Sequence, residues 1–156
     1  LKALVVYYSR TGSTAKLARD IAARMGCDID PIVDTVKRTG IIGWLKSGRG
    51  AMRKGLTRLE PPKLDPAQYD LVIVGTPVWA TSVSVPVRTY LQENKGKIGR
   101  VAFFLTAGGE NVGPVLADME AVCGKKPVAT LGVRMQDVKK GRHGEKVARF
   151  VTELGN

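Results

Sequence analysis

The sequence predicts an α/β fold: a doubly wound parallel sheet of five strands with helices on both faces. Three observations predict it. Four short runs are apolar and rich in β-branched or aromatic residues, without the strict alternation of a half-exposed strand: residues 3–8 (ALVVYY), 70–75 (DLVIVG), 101–106 (VAFFLT) and 128–133 (VATLGV). Such runs suit strands buried on both faces. Segments with apolar residues at helical spacing fall between them. The chain of 156 residues, 44% hydrophobic and 25% charged, has the size and composition of one folded domain, residues 1–156.

Taken in order, the strand at 3–8 leads into a helix whose Leu17, Ala18, Ile21, Ala22 and Met25 share one face, with Gly26 as its stop. Residues 29–36 form a weaker, more polar strand carrying Pro31, which suits an edge position. After the strand at 70–75 a helix at 85–93 presents Val87, Tyr90 and Leu91. After the strand at 101–106 a helix at 114–122 presents Val115, Leu116, Met119 and Val122. The strand at 128–133 precedes a last helix at 145–154 with Val147, Ala148, Val151 and Leu154 on one side. Right-handed crossovers between parallel strands place these helices on both faces.

Residues 37–62 have no place in this alternation and read as an insert. Ile41, Ile42, Trp44, Leu45 and Met52 stand among seven basic residues, Lys37, Arg38, Lys46, Arg49, Arg53, Lys54 and Arg58, with no acid between Asp34 and Glu60. A helix or flap over about 40–54 is expected, and three roles for it stay open. It is a solvated face, a helix over 37–58 that docks on a partner or an anionic membrane surface, or a lid over a ligand at the sheet edge.

The bulk charge is unusual. Lys and Arg number 25 against 14 Asp and Glu, a net charge of +11. That favours acidic partners; a nucleic-acid role is not expected, because charge is its sole support and no base-reading motif is present. No apolar run is long enough to span a bilayer and no secretory pattern opens the chain, so a cytoplasmic location is expected. Cys27 and Cys123 stand far apart without metal-type spacing, which excludes a disulfide scaffold or a zinc module and leaves them as small buried or partly buried hydrophobes. No Ser/His/Asp or Cys/His arrangement for a hydrolase is evident, and His143, in the basic run 139–144, is expected to be a solvent-exposed loop residue.

Chemistry concentrates in three predicted loops, each at the carboxyl end of a strand. Ser9-Arg10-Thr11-Gly12-Ser13-Thr14 joins the first strand to a helix N-terminus. Unpaired first-turn N–H groups, a positive dipole end and four hydroxyls suit a phosphate, with Gly12 closing the turn; the competing reading is plain helix capping by Ser and Thr. The segment lacks the lysine of a P-loop and the glycine spacing of a dinucleotide turn. Thr76-Pro77-Val78-Trp79-Ala80-Thr81 sets a tryptophan where it could cover a flat aromatic ligand, or simply pack over the sheet edge. Thr106-Ala107-Gly108-Gly109-Glu110 offers exposed backbone N–H groups to a ring, with Glu110 able to tune that ring or to cap the next helix. Open α/β sheets bind ligands at this edge.

Ser9-x-Thr11-Gly12-x-Thr14 after a strand resembles the phosphate loop of the flavodoxin-like family. The segments at 76–80 and 106–109 resemble its second and third flavin loops, and the similarity spans nearly the whole chain apart from the insert. The resemblance implies a flavodoxin-like sheet in the order 2-1-3-4-5. It also implies noncovalent FMN, with phosphate on 9–14 and the isoalloxazine between 76–81 and 106–111. Three departures stand out. The chain is basic where electron-carrier members are typically acidic; Trp79 is the one aromatic in these loops; and Pro77-Val78-Trp79 has no glycine beside the flavin. These departures imply weaker stabilisation of a half-reduced flavin and a less strongly reducing cofactor. Three functions remain: an electron carrier docking an acidic redox partner protein, an FMN-dependent oxidoreductase passing electrons from NAD(P)H to quinones or similar acceptors, and a binding scaffold that has lost FMN.

Overall fold

A computed structural model of the chain describes residues 1–36 and 55–155. Five parallel strands form its sheet: β1 (Ala3–Tyr7), β2 (Asp28–Pro31), β3 (Leu71–Trp79), β5 (Arg100–Ala107) and β6 (Thr130–Arg134). Their spatial order is β2-β1-β3-β5-β6, and a short β4 (Ser82–Val83) pairs antiparallel with the end of β3. With β4 set aside, this is the expected order 2-1-3-4-5.

Alternate residues of each strand feed opposite cores, as the pleat requires. Val5, Ile73 and Phe104 face α1 (Ser13–Met25) and α5 (Gly144–Gly155), where Leu17, Ile21, Val147 and Phe150 close one core. Leu4, Val72, Phe103 and Leu105 face α2 (Val85–Asn94) and α3 (Gly113–Cys123), whose Val87, Leu91 and Met119 close the other. Helix α1 stops as predicted at Gly26, which adopts φ 61° and donates its N–H to Ala22 O. A five-residue helix, α4 (Met135–Lys139), and a 3₁₀ turn at Pro66–Gln68 were not expected; both are too short to carry a periodic signal.

Two expectations need correction. The second strand ends at Pro31 instead of reaching residue 36. Beyond it the chain leaves β1 after one bond, Ile32 N–H to Tyr7 O at 2.7 Å, and pairs with residues returning from the insert. Asp34 bridges Leu59, Thr35 N–H donates to Arg58 O, and Glu60 N–H donates to Val33 O. This stalk is fastened to α2 through Thr57 N–H and Thr89 Oγ1 at 2.9 Å. Residues 37–54, with the hydrophobic and basic side chains on which the lid and membrane readings rest, lie outside the described residues.

The second correction is His143. It is 4% exposed, not solvated, and its Nε2 lies 2.5 Å from Asp20 Oδ2 on α1. Its basic neighbours suggest an open loop, but its carbonyl accepts the Val147 N–H at the start of α5 and its ring meets Asp20 of α1.

At the amino edge of the sheet, Tyr69 Oη donates to Asp28 Oδ2 at 2.7 Å, and Lys2 Nζ sits 4.9 Å from the ring centroid. The bond to Asp28, aided by burial, pushes the Tyr69 phenol up to about 12. A folded-state value above the ordinary one means that the folded protein keeps a proton the unfolded chain gives up. The contribution is therefore complete below about pH 10 and is lost as pH rises from 10 toward 12. Urea midpoints measured across that range are expected to fall more steeply for the unaltered protein than for Tyr69→Phe.

Candidate functional site

The carboxyl ends of β1, β3 and β5 are neighbours by register: Tyr7 pairs with Gly75, and Pro77 with Thr106. The three segments that follow leave the sheet side by side, and side chains join them. Thr14 Oγ1 and Thr106 Oγ1 are 2.7 Å apart in a buried hydrogen bond between the first and third. Tyr8 meets Trp79 edge to face, with centroids 5.5 Å apart, and the Arg10 guanidinium lies 5.6 Å from the Trp79 ring centroid. These two contacts join the first segment to the second.

In the first segment Gly12 is the N-cap of α1 at φ 107°, a conformation that L side chains rarely adopt. Its N–H donates to Ser9 Oγ at 3.1 Å. No side chain caps the helix by hydrogen bonding, and no acid stands in its first turn. The capping role that serine and threonine could have played here is not used. Thr14 is committed to Thr106, which leaves Ser9, Thr11 and Ser13 as the hydroxyls of the loop suited to an anion. Thr11 and Gly12 are exposed, Ser9 and Arg10 half-buried, and Ser13 and Thr14 buried.

The second segment is not a loop. β3 continues through Thr76, Pro77, Val78 and Trp79, and a two-residue turn at Ala80 and Thr81 reverses it into β4, with Val78 opposite Val83 and Trp79 opposite Ser82. Ala80 has φ 48° and Thr81 φ 61°. Two positive φ values in a two-residue connection match the twist of antiparallel strands, but they are costly for alanine and more so for a β-branched threonine. Thr76 is wholly buried; its Oγ1 accepts the Ser84 N–H at 3.1 Å and lies 2.9 Å from Ser84 Oγ. Thr76 and Pro77 thus shape the hairpin from beneath, and Ala80 and Thr81 form its exposed tip. Trp79 is 5% exposed, packed on Val85 and Tyr8. It forms a wall of the hairpin; the aromatic Tyr8 that accompanies it reads from the sequence as a core residue of the first strand, but it is half-buried just past the end of β1.

In the third segment Thr106 and Ala107 are the buried last residues of β5, and the open turn begins at Gly108. A Cβ on Gly108 or Gly109 would meet no atom within 4 Å, so the space before both is clear. Glu110 does not cap the next helix: the N-cap of α3 is Val112 and no side chain bonds there. The charges of Asp137 and Glu110, after the hydrogen bond from Arg134 Nε to Asp137 Oδ2, push the Arg134 guanidinium up.

The donor set suits a phosphate ester: a first helical turn without cap or acid, neutral hydroxyls and a nearby guanidinium. It suits a ring system less directly, because Arg10 covers the indole of Trp79. Elsewhere, a hollow of about 430 Å³ lies at the opposite, amino edge, lined by Lys2, Arg24, Cys27 and Asp28 among others. Burial pushes the Cys27 thiol up, which disfavours its reactive thiolate. Among the described residues no group of His, Cys, Asp or Glu could hold a metal ion, and no helix is long and apolar enough to cross a membrane.

Fold and site together define a doubly wound α/β protein with an acid-free helix N-terminus, not capped by any side chain, and an aromatic hairpin at the carboxyl edge of its sheet. The chain belongs to the flavodoxin family, whose profile matches residues 2–132. No curated protein matches it by sequence. Among solved structures, a flavoprotein of Lactobacillus acidophilus NCFM in complex with FMN is similar at 24% identity, with 89% of this chain and 97% of that one covered and a TM-score of 0.74. A protein of Bacteroides uniformis ATCC 8492 is similar at 22% identity, with 97% of each chain covered and a TM-score of 0.77. The two-electron reduced flavodoxin of Megasphaera elsdenii matches at 19% identity over 98% of this chain and 95% of that one, with a TM-score of 0.58.

Proposed function

We propose that this chain is an FMN-binding electron carrier that exchanges electrons with an acidic protein partner. The observation that carries the reading is the first turn of α1, uncapped and free of acids behind a Gly12 at φ 107°, beside a strained aromatic hairpin and a clear glycine turn. In this reading Ser9, Arg10, Thr11, Gly12, Ser13 and the N–H groups of the turn hold the phosphate. Thr14 acts by locking the turn to Thr106. The hairpin at 76–81 and the segment 106–110 flank the ring. For Trp79 to stack on that ring, the Arg10 guanidinium leaves the indole and turns toward the phosphate, exchanging a cation–π contact for a charge-assisted hydrogen bond. Bound FMN supplies the electron chemistry; the chain binds it, orients it and shields it from water.

The carrier role is supported by the net charge of +11, which draws acidic proteins by long-range attraction. FMN-loaded protein mixed with NADH and then NADPH, without oxygen, is expected to keep its oxidised visible band. It is expected to bleach on addition of a chemically reduced acidic redox protein, more slowly as salt is raised. Rapid bleaching by either nucleotide would replace the carrier with an NAD(P)H oxidoreductase acting on quinones or similar acceptors.

A further inference from the structure

We infer that the buried pair Arg88–Asp118, together with Ser82, is a clamp that positions the hairpin bearing Trp79; the inference rests on the flavin reading above. Arg88 stands on α2 and Asp118 on α3. The guanidinium spans the two carboxylate oxygens, Nη1 donating to Oδ1 at 3.3 Å and Nη2 to Oδ2. The same Nη2 lies 3.3 Å from Ser82 Oγ, and Ser82 Oγ lies 3.5 Å from Asp118 Oδ2. Ser82 is the residue directly opposite Trp79 in the β3–β4 pairing. One ion pair thus grips two helices and the returning strand of the hairpin at Ser82, the residue that follows the strained turn.

Stability does not account for this arrangement. Arg88 is 5% exposed, and its Nε is buried with no hydrogen-bond partner among the described residues. A desolvated guanidinium with one donor unsatisfied is commonly no better for folding than apolar packing of the same volume. What a bidentate pair supplies instead is direction, because the planar fork accepts a carboxylate in one orientation. Direction is what the hairpin needs. Its turn holds Ala80 and Thr81 at positive φ, a conformation that persists when its surroundings over-determine it. Arg88 and Asp118 reach this hairpin through Ser82, so they act through it as positioning residues.

The test compares the unaltered protein with Ser82→Ala and with the apolar double variant Arg88→Met/Asp118→Leu. FMN and riboflavin affinities, the visible flavin spectrum and the midpoint potential of FMN-saturated protein are measured for each. The clamp acts at the ring and not at the phosphate. Both variants are therefore expected to lose about tenfold in affinity for FMN and for riboflavin alike, leaving the ratio of the two unchanged, and to shift the spectrum and the potential. Affinities, spectrum and potential equal to those of the unaltered protein would overturn the clamp, whatever the variants' melting temperatures. If the double variant does not fold, Ser82→Ala, which keeps the ion pair, decides alone. An unaltered protein that binds neither flavin overturns the flavin reading and the clamp with it; one that binds FMN while the variants are indistinguishable from it overturns the clamp only.

Discussion

Gly75→Ala is expected to destabilise the protein by about 3 kcal/mol, the upper end of what overpacking a core usually costs. Gly75 lies in the middle of β3, paired directly with Phe104 of β5. A Cβ placed on it would overlap the Phe104 ring outright, with three ring carbons inside van der Waals range. Phe104 is fully buried in the core that includes Ile73, Leu131 and Phe150, so its ring has no free volume into which to retreat. Gly132 in β6 offers the contrast. A Cβ there would stand 3.0 Å from Val112 Cγ2, a half-buried side chain that can yield. Gly132→Ala is therefore the milder change. Urea unfolding of both variants, and of Gly75→Ala combined with Phe104→Leu, checks the argument. The second substitution relieves the overlap, so the pair should cost less than the sum of its parts. A loss below about 1 kcal/mol for Gly75→Ala would mean that the Phe104 ring can move aside.

The second large effect concerns binding and runs against stability. Thr11→Asp is expected to weaken FMN binding at least about a hundredfold while leaving riboflavin binding within about threefold. Thr11 is exposed and precedes the N-cap of α1. A carboxylate there faces the first turn that the phosphate would occupy. Two like charges about 4 Å apart repel by roughly 4 kcal/mol at the effective dielectric of a protein surface, and solvent reduces this without removing it. The variant also loses a hydroxyl that could donate to a charged oxygen, a bond of about 1.5–3 kcal/mol. The helix itself gains, since an acid near its N-terminus stabilises it by about 0.3–1 kcal/mol. Thr11→Asp should therefore melt no lower than the unaltered protein while losing the phosphate ester. Thr11→Val, which removes the hydroxyl without adding charge, should fall between the two in FMN affinity.

The sheet was legible because its strands are buried on both faces. The runs at 3–8, 70–75 and 101–106 show little polar interruption because each neighbours a strand on either side and a helix above and below. The edge strand was overextended because Ile32 and Val33 look like strand residues, whereas the chain there turns to pair with the stalk of the insert. The hairpin was missed for a chemical reason. Two-residue turns of this kind are signalled by Asn-Gly or a related pair, and here Ala80 and Thr81 take positive φ without it. The same gap explains why Trp79 was expected on a loop. Arg88 and Asp118 were invisible because charged residues on helices normally point to water; only the packing of α2 on α3, thirty residues apart in sequence, brings them together. His143 reads from the sequence as solvent-exposed for the same reason, since Asp20, the partner that meets its buried ring, lies on a distant helix. The turn at 9–14 was legible as a strand-to-helix connection because its signal is local: a strand end, a glycine and a helix start adjoin in sequence.

A parallel titration of the unaltered protein with FMN and with riboflavin, followed by quenching of flavin fluorescence, decides whether the first turn of α1 holds the phosphate. The two ligands share the ring and differ in the phosphate, which in the carrier reading sits at the first turn of α1. Several charge-assisted hydrogen bonds of about 1.5–3 kcal/mol each predict that FMN binds at least about a hundredfold more tightly, and that the advantage shrinks when inorganic phosphate competes. Equal affinity for FMN and riboflavin, or binding of neither, would contradict the account.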